Sequence, residues 1–278
     1  MDSLSLTLEI LIATCGPDGG RKVEAMSLPQ LPGVSYLVSW QEPGDSVVPE
    51  CLASRDDVRV LTLSGYGLSR NRNNCLDNAR GDILLIADDD LVLYPDGLQE
   101  IRRIFARNPS LEYGSFRYDS DVAKVYPPRE CRLDKLPRWF FQTSFEIALR
   151  RQSRAGRLRF HEKFGLGAAE FTAGEEELLL KKARINRLDC RFFPVTIACH
   201  PGPTTGVMPH LADGTIRACG AVTVIEYPLT SLLRIPLVAW RMRRGRRAAF
   251  WGALSLMSAG AIKAIFTGTV KPYLNSPL

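Results

Sequence analysis

The sequence predicts an α/β fold, with a mixed, mostly parallel sheet flanked by helices and a helical appendage at the C-terminus. Three observations support this. Residues 83–87 form an unbroken apolar run, which is typical of a strand buried on both faces of a parallel sheet. Short apolar runs alternate with helical segments through the first third of the chain. Beyond Pro228 the chain consists of apolar stretches separated by an arginine cluster.

The individual elements follow from apolar runs and from the residues that start or stop helices. The predicted strands are Leu4 to Ala13, Val34 to Trp40, Val58 to Leu63, Ile83 to Ala87, Tyr113 to Tyr118, Val122 to Val125, and Cys190 to Cys199. The predicted helices are Arg21 to Leu28, a helix from an N-cap at Ser69 to Ala79, Pro95 to about Arg107, and one that begins near Thr172. Thr172 and Glu175 match a capping box.

The charge is divided unevenly along the chain. The net charge is +6, but residues after Glu226 include no Asp or Glu and eight Lys or Arg. The preceding body is therefore close to neutral, which argues against nucleic acid as a partner. We expect a folded body over residues 1–226, with halves 1–110 and 111–226, and a tail over 227–278. The basic tail fits an anionic membrane surface.

The cysteines favour a reducing compartment. All seven are scattered, and no two have the CxxC spacing. The pattern suggests neither a zinc site nor a disulfide framework, so a cytoplasmic location is expected. The N-terminal apolar run lacks a basic segment before it and is interpreted as a strand, not a signal peptide.

Three adjacent carboxylates follow the most strongly apolar strand. Asp88, Asp89 and Asp90 repel one another, and a bound cation or strong hydrogen-bond donors would relieve that repulsion. Mg²⁺ and Mn²⁺ prefer oxygen ligands and commonly bridge to substrate phosphates. A solvated acidic turn is the plain alternative. The position at the carboxyl end of a strand favours a ligand site.

Further candidate groups come from three other segments. The segment 67–73 is a loop that turns into a helix N-terminus with two arginines, and it suits an anion; Arg72 could reach a diphosphate or the strand-end carboxylates. In Gly174-Glu175-Glu176-Glu177, the capping box explains Glu175, while Glu176 could act as a general base. His200 could complete a metal shell or contact phosphate, although a lone histidine is more often structural.

In this order, these motifs resemble those of the inverting family 2 glycosyltransferases, which have the GT-A fold, of the bacterial surface-polysaccharide type. The similarity spans roughly residues 4 to 206. Its pieces are Ile12-Ala13-Thr14, Gly67-Leu68-Ser69 with Arg72-Asn73, Ala79-Arg80-Gly81-Asp82, Asp88-Asp89-Asp90, Phe164-Gly165-Leu166-Gly167 and Gly174-Glu175-Glu176.

The resemblance implies roles for particular residues. Metal ligation is expected mainly from Asp90, with Asp88 and His200, and the cofactor is a divalent cation, Mn²⁺ or Mg²⁺. Glu176 is expected to be the base, with Glu175 as the alternative because the usual motif is Glu-Asp. Gln41 stands where the family usually has an aspartate that reads the nucleotide base. The expected nucleotide-sugar contacts are Ala13, Thr14, Gln41, Ser69, Arg72, Asp88 and Asp89.

The tail is expected to associate with a membrane surface. Ala248 to Ile262 is shorter than the roughly 20 residues that a spanning helix needs. A surface-lying or re-entrant hairpin is therefore preferred, with Arg241 to Arg247 at the headgroups and Trp240 and Trp251 in the interface. An ordinary packed helix pair is the alternative. The predicted location is cytoplasmic, peripherally bound to the inner face of the plasma membrane.

The resulting hypothesis is an inverting, metal-dependent transfer of a sugar from a nucleoside-diphosphate sugar to a hydroxyl of a saccharide acceptor, plausibly lipid-linked, in bacterial surface-polysaccharide synthesis. Two alternatives stay open. A nucleotidyltransferase acting on a sugar phosphate would use a glycine-rich loop after the first strand, and residues 15–22 offer one. A non-catalytic, membrane-docked assembly protein could have the same fold.

Overall fold

The computed structural model describes residues 6–122, 124–136, 140–202 and 211–275. The chain divides into two compact units. The first unit comprises residues 1–66, 70–159 and 187–203, and the second comprises residues 67–69, 160–186 and 204–278.

The first unit contains a mixed sheet, with nine strands among the described residues. The strands are β1 (Leu8–Cys15), β2 (Val34–Gln41), β3 (Val58–Leu63), β4 (Ile83–Asp88), β5 (Val92–Leu93), β6 (Tyr113–Ser120), β7 (Cys131–Arg132), β8 (Ile147–Arg150) and β9 (Cys190–His200). Their order is β3-β2-β1-β4-β8-β6-β9-β5, and β7 also pairs with β9. β1 to β4 are mutually parallel, and β8 is antiparallel to both neighbours.

The helices of the described residues, in chain order, are α1 (Gly19–Ala25), α2 (Glu50–Ala53), α3 (Leu68–Asn78), α4 (Pro95–Arg107), α5 (Glu175–Ile185), α6 (Asp213–Glu226), α7 (Ser231–Arg244), α8 (Phe250–Phe266) and α9 (Pro272–Asn275). Most of the predicted elements lie within one to four residues of these bounds. α6 was not predicted.

The core of the first unit explains why the parallel strands are so apolar. β4 is buried on both faces from Ile83 to Ala87. Side chains of β1 and β2, such as Ile10 and Tyr36, join the same cluster together with Phe105 of α4. The predicted α/β fold, with a mixed sheet flanked by helices, is confirmed.

The second unit has its own core, formed mainly by helices α5, α6, α7 and α8. α6 and α8 approach closely because glycines stand at their contact. A Cβ atom at Gly220 would overlap the carbonyl oxygen of Met257, and one at Gly260 would overlap the carbonyl oxygen of Arg217. Small residues thus let the two backbones touch.

Several local predictions differ from the structure. Among the described residues of the segment 122–125 there is no strand. The predicted capping box is wrong: α5 begins at Glu175, after Gly174 in the left-handed region (φ 98°), and no side chain caps it. A Cβ atom at Gly214 would lie 2.6 Å from Thr172 Oγ1, so that hydroxyl packs beside α6 instead.

The predicted N-cap at Ser69 is also wrong. α3 begins one residue earlier, and the Ser69 hydroxyl donates to the carbonyl oxygen of Phe164 at 2.6 Å instead of capping the helix. α6 packs with α7 and α8 in the core of the second unit. In the described part of the chain, no helix is both long and apolar enough to cross a membrane.

Candidate active site

The carboxyl end of β4 is organised by a buried arginine. Arg72 of α3 donates through Nη2 to Asp88 Oδ1 at 2.7 Å and to Ser144 Oγ at 2.6 Å. Its side chain is only 3% exposed, whereas that of Asp88 is 27% exposed. Arg72 therefore holds one oxygen of Asp88, and the carboxylate still reaches solvent. The sequence suggested that Arg72 could reach either a diphosphate or the strand-end carboxylates. In the structure it bonds to one of these carboxylates, Asp88.

Asp89 has a different orientation. Thr14, at the end of β1, donates its hydroxyl to Asp89 Oδ2 at 2.5 Å. Lys22 of α1 lies 3.5 Å from the same oxygen. Asp89 therefore links the ends of two adjacent strands and helix α1. The side chains of Thr14 and Asp89, both expected at a nucleotide, are already bonded to each other.

Asp90 lies beside His200 at the end of β9. The distance from His200 Nε2 to Asp90 Oδ2 is 3.4 Å. Burial raises the pKa of the Asp90 carboxyl, His200 opposes that shift, and Asp88 and Asp89 add to it. Partial burial, together with the neighbouring carboxylates Asp88 and Asp89, thus makes ionisation of Asp90 less favourable.

The His200 ring is held in place by aromatic neighbours. It stacks on Phe145 with ring centroids 5.4 Å apart and planes at 8°, and it meets Tyr118 edge-on. Nδ1 lies 3.2 Å from the carbonyl oxygen of Gly202. If Nδ1 carries the proton and donates to that carbonyl, Nε2 presents a lone pair towards Asp90.

The pair Asp90 and His200 fits a divalent cation in chemistry. One carboxylate oxygen and one imidazole nitrogen at 3.4 Å approach the separation of about 3 Å between neighbouring ligands of a single Mg²⁺ or Mn²⁺ ion. Among the described residues, no group of three or more His, Cys, Asp or Glu side chains is arranged to hold a metal. The two residues thus offer two ligand positions, and such ions usually take the remainder from water and substrate phosphate.

Two buried amides lie at the ends of β1 and β2. Gln41, the last residue of β2, is 2% exposed, and within the described residues its Nε2 has no hydrogen-bond partner. Asn71 donates Nδ2 to the carbonyl oxygen of Thr14 at 2.8 Å, and its Oδ1 likewise has no partner there. A buried polar atom without a partner is costly, so such atoms are candidates for bonding a ligand. Ala13 is buried beside them in β1.

The predicted base segment belongs to the second unit. Glu175 and Glu176 are the first two residues of α5, where the helix dipole favours carboxylates. Glu175 is buried, and a Cβ atom at Gly165 would lie 3.2 Å from its Cδ and 3.0 Å from Ser69 Oγ. Glu176 is only partly buried. Glu175 is therefore packed into a glycine-containing loop, and Glu176 is the more accessible of the two.

Ser144 and Asn71 were not identified from the sequence. Ser144 holds Arg72 from a position 72 residues away, and no local pattern marks it. Asn71 lay inside the loop-to-helix segment that was singled out for its arginines.

One cavity lies away from these residues. It has a volume of about 450 Å³ and lies at the amino ends of β2 and β3, lined by Gln30, Leu31, Pro32, Ser54, Arg55, Asp56 and Asp57. Open α/β sheets bind ligands at the carboxyl ends of their strands. The candidate site is therefore assigned to the carboxyl ends of the strands. It contains Asp88 to Asp90, His200 and the side-chain amides of Gln41 and Asn71.

The comparison with protein families matches this part of the chain. Residues 45–166 match the model described as "Glycosyl transferase family 2". This stretch of the chain is therefore similar to the family 2 glycosyltransferases. The matched region contains Arg72 and the carboxylates Asp88 to Asp90, and it ends before Glu175, Glu176 and His200.

Solved structures with the same fold include S. aureus TarS. TarS 1-349 in complex with UDP has a TM-score of 0.55 at 13% identity, covering 86% of this chain and 71% of that one. The complex with UDP-GlcNAc has a TM-score of 0.53 at 14% identity, covering 97% and 82%. A longer TarS chain has a TM-score of 0.54, and this chain covers 44% of it.

At this level of identity, the likeness to TarS establishes the fold. The predicted GT-A type is thereby confirmed, and the family match over residues 45–166 agrees with it. No curated protein sequence matches the chain.

Proposed function

We propose that this protein is a glycosyltransferase that transfers a sugar from a nucleoside-diphosphate sugar to a hydroxyl of a saccharide acceptor, with inversion at the anomeric carbon. The observation that carries the proposal is the approach of Asp90 and His200, at 3.4 Å, beside Asp88 at the carboxyl end of β4. The match of residues 45–166 to family 2 adds to it, and so does the presence of UDP and UDP-GlcNAc in structures of TarS.

The donor is assigned to the ends of β1, β2 and β4. Gln41 and Asn71 each offer a buried polar atom that could bond the nucleotide, one as a donor and the other as an acceptor. Arg72 orients Asp88, whose remaining exposure lets it bond to the ribose or contact a cation. Ala13, Thr14 and Asp89 are proposed as further contacts of the nucleotide sugar, and Ser69 of the second unit is proposed as a contact as well.

Asp90, His200 and Asp88 are proposed as the protein ligands of Mn²⁺ or Mg²⁺. The cation would neutralise charge on the departing nucleoside diphosphate. The raised pKa of Asp90 supports this role, because a cation would lower the cost of ionising that carboxyl. The stack on Phe145 would keep the imidazole in the same orientation through the reaction.

Glu176 is proposed as the base that removes the proton of the acceptor hydroxyl, so that the oxygen attacks the anomeric carbon from the face opposite the leaving group. Its partial exposure supports this choice, since Glu175 is buried beside Gly165 and Ser69. Glu175 would then position the loop that contains Gly165, and it remains the alternative base.

The acceptor is proposed to be lipid-linked, in bacterial surface-polysaccharide synthesis, with the enzyme held at the inner face of the plasma membrane. The support is the tail, where Arg241, Arg243, Arg244 and Arg246 are all exposed. An anionic membrane surface would attract them.

The proposal is tested by incubating the protein with a panel of nucleotide sugars and Mn²⁺, and measuring release of nucleoside diphosphate. We expect release with one class of base, and loss of release with a chelator. Asp90→Asn and Glu176→Gln should each lower kcat at least about 100-fold. Asp96→Asn and Glu162→Gln, which change exposed carboxylates nearby in sequence, are the matched controls and should keep activity.

The alternatives give different results in this assay. A nucleotidyltransferase would exchange pyrophosphate and release no nucleoside diphosphate. Its glycine-rich loop is also disfavoured, because Cβ atoms at Gly19 and Gly20 would collide with the Trp40 ring: these glycines make room for an indole. A non-catalytic assembly protein would turn over no donor, and full activity of both Asp90→Asn and Glu176→Gln would refute the assigned roles.

A further inference from the structure

The C-terminal helices expose an unusual amount of apolar surface. Most of the large apolar side chains that are exposed in the described part of the chain lie within residues 227–266. Leu229 is 98% exposed, and Leu232 and Phe266 are each 86% exposed. Single exposed apolar residues are normal, but such a concentration marks an interaction surface.

These residues share the outward sides of α7 and α8. In α7 the buried residues Ser231, Ile235, Ala239 and Met242 form one stripe at helical spacing, and Leu232 and Leu233 lie away from it. In α8 the buried stripe contains Ala253, Met257 and Ala264, whereas Trp251, Ile262 and Phe266 are exposed. We call the six exposed residues the hairpin face: Leu229, Leu232, Leu233, Trp251, Ile262 and Phe266.

The connection between the helices sets the arrangement of apolar and charged groups. α7 ends at Arg244 and α8 begins at Phe250, so a short loop joins them as a helical hairpin. The arginines from Arg241 to Arg247 lie at the turn of this hairpin. Leu232, Leu233, Ile262 and Phe266 lie towards its other end. Charged and apolar groups therefore occupy opposite ends of one surface.

The positive charge of residues 227–278 determines which kind of partner fits the hairpin face. Residues 227–278 contain eight Lys or Arg and no Asp or Glu. A second copy of the same surface would be repelled, because like charges would meet. Anionic lipid headgroups would be attracted, and the acyl region would accept the leucines. Trp240 and Trp251, both exposed, are residues enriched at the boundary between headgroups and acyl chains.

We infer that the α7–α8 hairpin lies in the surface of an anionic bilayer, with the hairpin face buried among the acyl chains and the arginines of the turn at the headgroups. The inference deepens the proposed function, since it names the surface that would bring the enzyme to a lipid-linked acceptor. The sequence suggested that the arginines and tryptophans meet the membrane. The structure adds an apolar contact, formed by Leu229, Leu232 and Leu233.

Vesicle flotation tests this with the full-length protein, no donor and no acceptor. The vesicles contain phosphatidylcholine alone or phosphatidylcholine mixed with phosphatidylglycerol. We expect binding only to the anionic mixture. Leu232→Ser/Leu233→Ser should weaken binding at least about tenfold, because burying one leucine contributes about 1.5–3 kcal/mol when complete. Arg243→Gln/Arg244→Gln should weaken it about 25-fold, at roughly fivefold per basic residue near an anionic surface.

Salt and a control variant separate the two contributions. The residual binding of the leucine variant should vanish near 1 M salt, where the Debye length is about 3 Å, and binding of the arginine variant should depend on salt less steeply than that of the wild type, because two basic residues are gone. Val47→Ser alters an 83% exposed apolar residue of the first unit and should bind as the wild type does. Unchanged thermal unfolding of all three variants shows that they fold.

Three outcomes would overturn the inference. The first is failure of the wild type to float with anionic vesicles. The second is unaltered binding by the leucine variant. The third is a wild-type dimer, seen by light scattering, that the leucine variant breaks, since the hairpin face would then join two copies of the chain. Because no sugar is transferred in these measurements, they can fail while transfer to a soluble acceptor succeeds, or succeed while it fails.

Discussion

Removal of the Asp88 carboxylate should destabilise the fold through Arg72. The guanidinium is 3% exposed and donates to Asp88 and Ser144. In Asp88→Ala the buried guanidinium loses the carboxylate that it bonds at 2.7 Å. Breaking a fully buried ion pair costs about 3–5 kcal/mol, and because Asp88 is 27% exposed we expect about 2–4 kcal/mol here. Asp88→Asn keeps an oxygen acceptor and should cost only about 1–2 kcal/mol.

A double variant tests whether the loss of stability comes from the charge on Arg72. Arg72→Met/Asp88→Ala removes the buried charge together with its partner, so it should be more stable than Asp88→Ala alone. Thermal and guanidinium unfolding with a chelator present measure both differences. A loss of 2–4 kcal/mol corresponds to a fall in Tm of about 4–16 °C.

The neighbouring carboxylate, Asp90, provides the control. Asp90 is 51% exposed, so Asp90→Ala should leave Tm nearly unchanged while it removes activity. The reasoning fails if Asp88→Ala is as stable as Asp88→Asn, or if the costs of the two single changes simply add in the double variant. Either result would mean that Arg72 does not depend on Asp88 for compensation of its charge.

Two further predictions concern stability in each unit. Gly220→Ala should cost about 1–3 kcal/mol in unfolding measurements, because the new methyl group meets the Met257 carbonyl, whereas Gly252→Ala, in open space on α8, should be neutral or stabilising by up to about 1 kcal/mol. A bidentate bond from Arg55 holds the pKa of Asp57 below its usual value. That stabilisation is therefore complete above the unfolded-state pKa and is lost as pH falls through the folded-state pKa. Asp57→Asn should lower stability at pH 7 by about 0.5–1 kcal/mol, and the difference from wild type should disappear in acid; an equal difference at all pH values would contradict this.

The sheet and the carboxylate cluster could be predicted because their signals are local. The apolar run Ile83 to Ala87 can be buried only as a central strand, and a strand buried on both faces directs its carboxyl end to a ligand site. The motif order along the chain then pointed to the family whose model matches residues 45–166.

Other features could not be predicted because they depend on distant residues. Asp89 bonds Thr14, and Arg72 bonds Ser144, across separations of 75 and 72 residues. The capping box at Thr172 failed because Gly174 takes a left-handed conformation that starts the helix later. α6 was missed because small residues such as Gly220 fit its tight packing and weaken its helical signal.

The short strand β5 gives the candidate metal ligands a shared alignment. Val92 pairs with Cys199 and Leu93 with Ala198, so Asp90 precedes one strand of an antiparallel ladder and His200 closes the other. Asp90 lies in the turn two residues before Val92, so one extra residue between them would move the carboxylate relative to the imidazole with no change to either residue. The ligand pair therefore depends on spacing as much as on identity, and for Asp90 and His200 a deletion or insertion would be as damaging as a substitution.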